Sequence, residues 1–418
     1  GSSFFLKIFA GLLAHRTINV DYIMDVTDLR WSAFLLQSVV YAHMLGIRSD
    51  VPSCSFLQLD KFSSRTHLVA AKAPSALTNM WFHASSREAE LLYKGCGRSN
   101  VSSRSPSFVI LGVQKAGTSS VTAALRNYTC RSIAHEPHFF DSGNYSDRPV
   151  PAARLNEYLG QQWGHCNQDS ILFEKSPSYY WQAWTPLRMC ESLGTERPVV
   201  LFLRDPVARA YSSFYHSVSD RQLNGEFVLR PRQVALTPEG FDELAQVEVA
   251  IVQSCGGVPS GDLQLDLRAR ANFSACCKSV TKELGFENWN GCECDISHDQ
   301  ICGVFGEKVE SQVRMGIYAP YLRNWLQYYQ SANVYIYIVE ETVFPDMERV
   351  VWELACTLFP AKAPASCAGQ ARLGQNLKLN SASSKQPPML KQTYNLLKEF
   401  YRPFNRELEA LIGRSVPW

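Results

Sequence analysis

The sequence has no uninterrupted apolar run of the roughly 18 residues that a membrane-spanning helix needs. Two shorter runs come nearest. Residues 4–14, "FFLKIFAGLLA", are broken by Lys7, and residues 33–47, "AFLLQSVVYAHMLGI", by Gln37, Ser38 and His43. Either they form amphipathic or buried helices, or the first is the remnant of a signal or membrane anchor, since the chain opens on Gly-Ser-Ser. An excess of one charge is also missing: 41 basic and 39 acidic residues leave a net +2, so any anion binding must be local and no nucleic-acid partner is expected. The paired C-x2-C arms of a typical zinc site do not occur among the 13 cysteines. Disorder is excluded by composition, because 46% hydrophobic and 19% charged residues describe a chain that folds around a core.

The cysteines that are present point to a compartment. Together with four N-x-[ST] sequons at Asn100, Asn127, Asn144 and Asn272, they favour an oxidising, secretory-pathway location with those asparagines as glycosylation sites. Residues 276–302, with Cys255 just upstream, read as a disulfide-stapled insertion at about 255–302; a metal site recruiting His298 is the weaker alternative. The odd cysteine total leaves at least one thiol unpaired or joined to another chain.

Residues 1–104 carry no nameable motif and read as a stem or helical extension, ending in a linker-like stretch rich in Ser, Arg and Asn at 94–107. From there the pattern changes. Short apolar runs at 107–113, 170–176, 198–205 and 333–341 suit buried parallel strands, and helical spacing appears at 118–128, 206–220, 308–329 and 389–413. Alternating strands and helices imply an α/β, P-loop-like three-layer fold: a central, mainly parallel sheet flanked by helices, with the cysteine-rich insertion added.

One further absence is informative. Residues 108–121, "FVILGVQKAGTSSV", keep the G-x4-G spacing of a Walker A loop through Gly112 and Gly117, but Thr118 stands where its lysine belongs and a lysine appears at 115. A strand, a glycine turn and a helix start still present backbone N–H groups to an anion, with hydroxyls from Thr118 and Ser119 and a point charge from Lys115. Apart from Asp205, no Walker B aspartate follows. A second anion station is expected at 201–216, "LFLRDPVARAYSSFYH", where Arg204 ends a strand and Ser212 lies two turns along the next helix. The alternatives are a plain strand–helix turn at the first station and a local Arg204–Asp205 ion pair at the second.

"GVQKAGTSS" and "RDPVARAYSSF" resemble the 5′-phosphosulfate loop and the 3′-phosphate motif of sulfotransferases that use 3′-phosphoadenosine 5′-phosphosulfate (PAPS). "HEPHFFD" (135–141), "EKSPSYYW" (174–181), "GIYAPYLRNWL" (316–326) and the tail ending "LIGRSVPW" narrow the resemblance to Golgi heparan sulfate glucosaminyl 3-O-sulfotransferases over about 105–418. It implies PAPS as co-substrate, 3′,5′-ADP as product, no metal, and a Golgi-lumen enzyme with a glycan or other hydroxylated acceptor. Lys115, Ala116, Gly117, Thr118, Ser119, Arg204, Ser212, Tyr318 and Lys385 would hold the donor. Glu136 would be the catalytic base, helped by Lys115, Lys175 and His138, with His138, Asp141 and Lys175 on the acceptor side. His135 competes with Glu136 as the base, a Glu174 ion pair is the alternative for Lys175, and His138 in a satisfied core is the alternative for "HFF".

The chain departs from the family at Ser119, where the heparan sulfate enzymes carry an arginine. A heparan-type glycan, another glycan and a small hydroxylated metabolite therefore all stay open as acceptors. A P-loop kinase, which would need a lysine at 118 and a magnesium-holding aspartate, and a non-catalytic secreted glycan-binding protein are the rivals from other classes.

Overall fold

The computed structural model of the chain describes residues 80–96, 105–141, 150–167, 169–223, 235–255, 275–284, 312–358 and 386–418. The two apolar runs near the start, the sequons at Asn100, Asn144 and Asn272, Lys385 and most of the cysteine-rich insertion lie outside them. Five strands form one parallel sheet: β1 (Phe108–Gly112), β2 (Cys130–Arg131), β3 (Leu172–Lys175), β4 (Val199–Leu203) and β5 (Val334–Ile338), in the order β2-β3-β1-β4-β5. Every residue of β1, β3 and β4 is buried, as expected of central parallel strands covered on both faces, which explains why they read as continuous apolar runs.

Helices among the described residues include α1 (Arg87–Leu92), α2 (Thr118–Leu125), α3 (Ala152–Trp163), α4 (Thr185–Leu193), α5 (Pro206–Leu223), α6 (Pro238–Cys255), α7 (Tyr318–Tyr328), α8 (Val343–Trp352) and α9 (Lys391–Ile412). Their apolar sides cover the sheet in a core that includes Trp163, Trp325, Tyr180 and Tyr337. A second cluster joins α5, α6 and α9 through Phe214, Phe241 and Tyr401. Among the described residues no helix is long and apolar enough to cross a membrane. The helix expected across 308–329 is shorter than its apolar period suggests. Within the described part, a 3-10 turn at Arg314–Gly316 precedes α7, because Gly316 lies against Pro206 and Tyr401 where a Cβ would come within 2.9 Å of both side chains.

The chain runs from β1 outward to β2 and back through β3, then crosses β1 to β4 and on to β5. The direction of travel therefore reverses between β1 and β4, and open α/β sheets bind ligands in the crevice at that reversal. Residues just before the sheet are fastened to it: Phe82 pairs antiparallel with Ile336, and Cys96 is disulfide-bonded to Cys190 of α4. Cys130–Cys166 and Cys255–Cys276 are also bridged, the latter stapling the start of the expected insertion. His165 lies near Cys130 and Cys166 in the only metal-like grouping among the described residues, but the disulfide occupies both thiols.

The Cys96–Cys190 bond spans 94 residues of sequence. Replacing both cysteines by serine should lower the urea unfolding free energy by about 2–5 kcal/mol. A change below about 0.5 kcal/mol, the range of a neutral surface substitution, would show that the bond does not restrain the unfolded chain.

Candidate active site

The site forms where the β1 and β4 ends meet. Gly112 closes β1 with φ 133°, and a Cβ there would stand 2.6 Å from the Pro177 carbonyl oxygen, so only glycine lets the two backbones approach. Gly117, with φ 76°, is the N-cap of α2 in the left-handed region, and a helix start leaves its first N–H groups without intrahelical partners. Thr118 and Ala116 are buried, whereas Ser119 is exposed. Lys115 is partly exposed and adopts φ 67°.

Arg204 follows β4 and donates from Nη1 to the Lys115 carbonyl oxygen at 2.7 Å. The turn and the second station are thus one structure. Burial pulls the Arg204 guanidinium below its ordinary value, opposed mainly by Glu340, and Nε is buried without a hydrogen-bond partner. Among the described residues there is no Arg204–Asp205 ion pair. The Asp205 carboxylate instead caps α5, accepting from the Val207 N–H at 2.9 Å, and the Asp205 N–H donates to Glu340 Oε1 at 3.0 Å. Ser212 is buried on α5; its neighbour Ser213 donates to Gln114 Oε1 at 2.8 Å and ties the helix to the loop. Tyr318 is 1% exposed, and its hydroxyl donates to the Arg204 carbonyl oxygen at 2.8 Å.

On the other side of the turn, β3 ends in Glu174 and Lys175. Successive strand side chains point to opposite faces, and these two find different partners. Glu174, fully buried, takes a hydrogen bond from Tyr158 of α3, and burial pushes its carboxyl up to about 7. Lys175, with 1% of its side chain exposed, forms an ion pair with Glu136 and donates to Ser119 Oγ at 3.4 Å. A solvent-facing Glu174–Lys175 pair is therefore not what forms. Burial lowers the Lys175 ammonium, with Glu136 acting against it.

Glu136 is gathered into a small network. His138 Nε2 lies 3.5 Å from Glu136 Oε2, and His138 Nδ1 lies 3.0 Å from Asp141 Oδ2. Ser178 Oγ contacts both His138 Nδ1, at 2.8 Å, and the Asp141 carboxylate. Burial alone would raise the Glu136 carboxyl, but the His138 hydrogen bond and the Lys175 charge outweigh it and hold the group at about 2. Hydrogen bonds to Asp141 and Glu136 push the His138 imidazole up to about 10 against burial. It is a cation at neutral pH, not a satisfied neutral core histidine. His138 has φ 51°, held by its N–H donating to Ser176 Oγ at 3.1 Å. Lys115 and His138 are the only non-glycine residues of positive φ among those described.

His135 is differently placed. Its Nδ1 faces Arg131 Nη1 at 2.8 Å, and burial and the Lys175 charge lower its imidazole below the ordinary value. An arginine can only donate, so the Nδ1 lone pair is taken, and Nε2 faces a second donor, Lys175 Nζ, at 3.5 Å.

The structure brings Lys115 and Arg204 together, and joins Glu136, Lys175, His138 and Asp141 to the turn through Ser119. Lys385 lies outside the described residues. Sequence reasoning missed Ser178, Ser176, Gln114 and Ser213. All four stand inside quoted motifs, "EKSPSYYW", "GVQKAGTSS" and "RDPVARAYSSF", but nothing in a hydroxyl or amide announces which partner it will meet. A cavity of about 430 Å³ lined by Asp205, Glu340, Tyr394, Lys398 and Trp418 borders the Arg204 station but includes neither the turn nor Glu136.

No protein-family model matches the chain. It is similar to heparan sulfate glucosamine 3-O-sulfotransferase 3B1 of Mus musculus, 22% identical over 332 residues that cover 75% of this chain and 65% of that protein. It is 25% identical over 337 residues to heparan sulfate glucosamine 3-O-sulfotransferase 6 of Mus musculus, covering 75% of this chain and 74% of the relative. The match thus spans slightly less than two thirds of the 3B1 protein's own length. The crystal structure of a sulfotransferase from Alicyclobacillus acidocaldarius is similar with a TM-score of 0.45 and 18% identity, covering 75% of this chain and 97% of that one. The resemblance read from the short motifs extends to most of the chain, and the similar curated proteins are sulfotransferases.

The network sets a pH dependence. His138 rises from 6.5 to about 10 on folding, so its contribution to stability is complete below pH 6.5 and is lost as pH rises through about 10. Glu136 falls from 4.5 to about 2, so its contribution is present above pH 4.5 and is lost as pH falls through about 2. Nitrogen NMR of the His138 ring should show an imidazolium still present at pH 8, and Asp141→Asn should bring its midpoint down towards 6.5. A wild-type midpoint near 6.5 would contradict the arrangement.

Proposed function

We propose that the chain transfers the sulfuryl group of PAPS to a hydroxyl of a carbohydrate acceptor in the lumen of the secretory pathway, with the Golgi as its site. The observation that carries this reading is the junction at Ser119. There an anion-binding turn backed by Arg204 meets a buried lysine paired with a carboxylate, Lys175 Nζ reaching Ser119 Oγ at 3.4 Å. The left-handed backbone at Lys115 and His138 supports it, because such strain persists mainly where a function over-determines the local structure.

In this scheme the turn and Lys115 hold the 5′-phosphosulfate, and Arg204, with Ser212 close by on α5, holds the 3′-phosphate. The acceptor oxygen forms a bond to sulfur as the bond from sulfur to the phosphate oxygen breaks; the acceptor proton passes to Glu136, and the products are a sulfate ester and 3′,5′-ADP. Lys115 and Lys175 stabilise the charge that gathers on the departing phosphate. Glu136 is fully ionised at neutral pH and therefore ready to accept a proton. Its basicity rises as Lys175 turns part of its charge to the donor, because that charge is among the groups that hold the carboxyl near 2. His135 is not favoured as the base, since two donors, Arg131 Nη1 and Lys175 Nζ, face its two ring nitrogens.

The acceptor class is read from the relatives and from charge. The similar proteins are heparan sulfate sulfotransferases by name. Arg126, Arg131 and Lys175 all bring positive charge to His135, beside Glu136. A cationic rim favours an anionic glycan over a neutral metabolite, although Ser119 stands where the family's arginine would be. The disulfides Cys96–Cys190 and Cys130–Cys166 and the exposed sequon at Asn127 support the oxidising lumen.

Incubation with sulfur-labelled PAPS and a panel of heparan, chondroitin, simple sugars, phenols and alcohols tests the reaction and the acceptor together. Label is expected in an anionic glycan; label in phenols or alcohols alone would replace the carbohydrate reading, and no transfer to any acceptor would contradict the enzyme. Glu136→Gln should keep 3′,5′-ADP affinity and lose about 10²–10⁴-fold in turnover. Undiminished turnover would remove Glu136 from the role. Lys115→Ala should weaken both donor binding and turnover.

A further inference from the structure

The start of α8, a few residues after β5, carries an aromatic ring that neither the fold nor the proposed chemistry uses. Val339 N–H donates to the Leu203 carbonyl oxygen at 2.8 Å, holding the end of β5 beside the residue that precedes Arg204. The chain then turns, with Phe344 N–H donating back to the Val339 carbonyl oxygen at 3.0 Å and Asp346 N–H to Thr342 at 2.9 Å. Val343 is fully buried, and its Cγ1 would lie 3.3 Å from a Cβ on Gly117. Phe344, next along, is 44% exposed, with the Arg204 guanidinium carbon 5.5 Å from its ring centroid.

A solitary exposed phenylalanine is ordinary on a protein surface. This one differs in its fastening and its neighbours. Its backbone is fixed by hydrogen bonds, its preceding residue packs on the anion-binding turn, and its ring lies against the arginine of the second station. The other aromatic at this place, Tyr318, is buried behind Arg204 with its hydroxyl engaged, so it offers no open ring surface.

We propose that Phe344 is the platform on which the heterocyclic base of the nucleotide donor stacks. This rests on the donor reading given above. A nucleotide with phosphates in the turn and at Arg204 leaves its base to find a cover near the same strand ends, and a flat apolar ring is a sequence-tolerant partner for the π-face of any base. The guanidinium beside the ring orients Phe344 by a cation–π contact and keeps the phosphate and base subsites in register. Phe344 is thus a donor-binding residue that selects for a base-bearing bisphosphate over a bare sugar bisphosphate.

Calorimetric titration of the full chain with two probes, 3′,5′-ADP and 1-O-methylribose 3,5-bisphosphate, separates the base from the phosphates. Phe344→Ala should weaken 3′,5′-ADP binding by about 5- to 100-fold and leave the base-free bisphosphate unaffected, while Phe344→Trp should restore 3′,5′-ADP binding. Unchanged 3′,5′-ADP affinity in Phe344→Ala, or an equal loss for both probes, would overturn the platform and leave the donor reading standing. A wild-type chain that binds neither probe would overturn the donor reading and the platform with it.

Discussion

An ammonium group with 1% of its side chain exposed keeps its charge only if an opposite charge stands beside it. Lys175 has Glu136 for that partner, and much of the site follows from the need to hold the pair. The lysine comes from the end of a central strand, where β3 is buried on both faces, and cannot retreat to water. The carboxylate comes from the irregular segment after β2 and is held from behind by the His138 cation, which Asp141 and Ser178 hold in turn. Positive charge therefore flanks Glu136 on two sides, and the resting carboxyl is a stronger acid than an ordinary glutamate. A ligand that draws Lys175 away weakens that restraint, which in the proposed scheme links donor binding to the basicity of Glu136.

The sheet places the pair where it can act. Reversal of strand order between β1 and β4 opens the crevice, and three devices converge on it from separate elements. Gly112 lets β1 touch the Pro177 backbone, Gly117 turns the chain into α2, and Arg204 reaches from β4 to the Lys115 carbonyl oxygen. Further support comes from residues with no direct part in the proposed chemistry. Tyr318 fixes the Arg204 backbone, Tyr180 donates to the Tyr318 carbonyl oxygen at 2.8 Å, and Ser213 holds Gln114. These contacts pre-organise the turn before any ligand arrives.

Much of this was legible in the residues. The runs at 107–113, 198–205 and 333–341 became β1, β4 and β5 because a strand buried on both faces must be apolar throughout, which is the signal a sequence shows most plainly. β2 was invisible, since a two-residue edge strand has no period and exists only through its ladder to β3. The helix expected across 308–329 failed at Gly316, where close approach of Pro206 and Tyr401, residues far away in sequence, decides the backbone. In the site, Glu136, Lys175 and His138 could be named from their motifs, but not their pairing. Whether Lys175 faced Glu174 or Glu136 depended on which side of the sheet each side chain took, and Ser178 entered only because the turn after β3 folds back over His138.

Two linked anion stations are proposed to grip the two phosphorylated positions of one adenosine nucleotide. A crystal structure of the complex with 3′,5′-ADP tests it most directly. The 5′-phosphate is expected within the Gly112–Ser119 turn and the 3′-phosphate on Arg204, with the empty sulfuryl position facing Glu136 and Lys175. A nucleotide bound away from both the turn and Arg204 would contradict it.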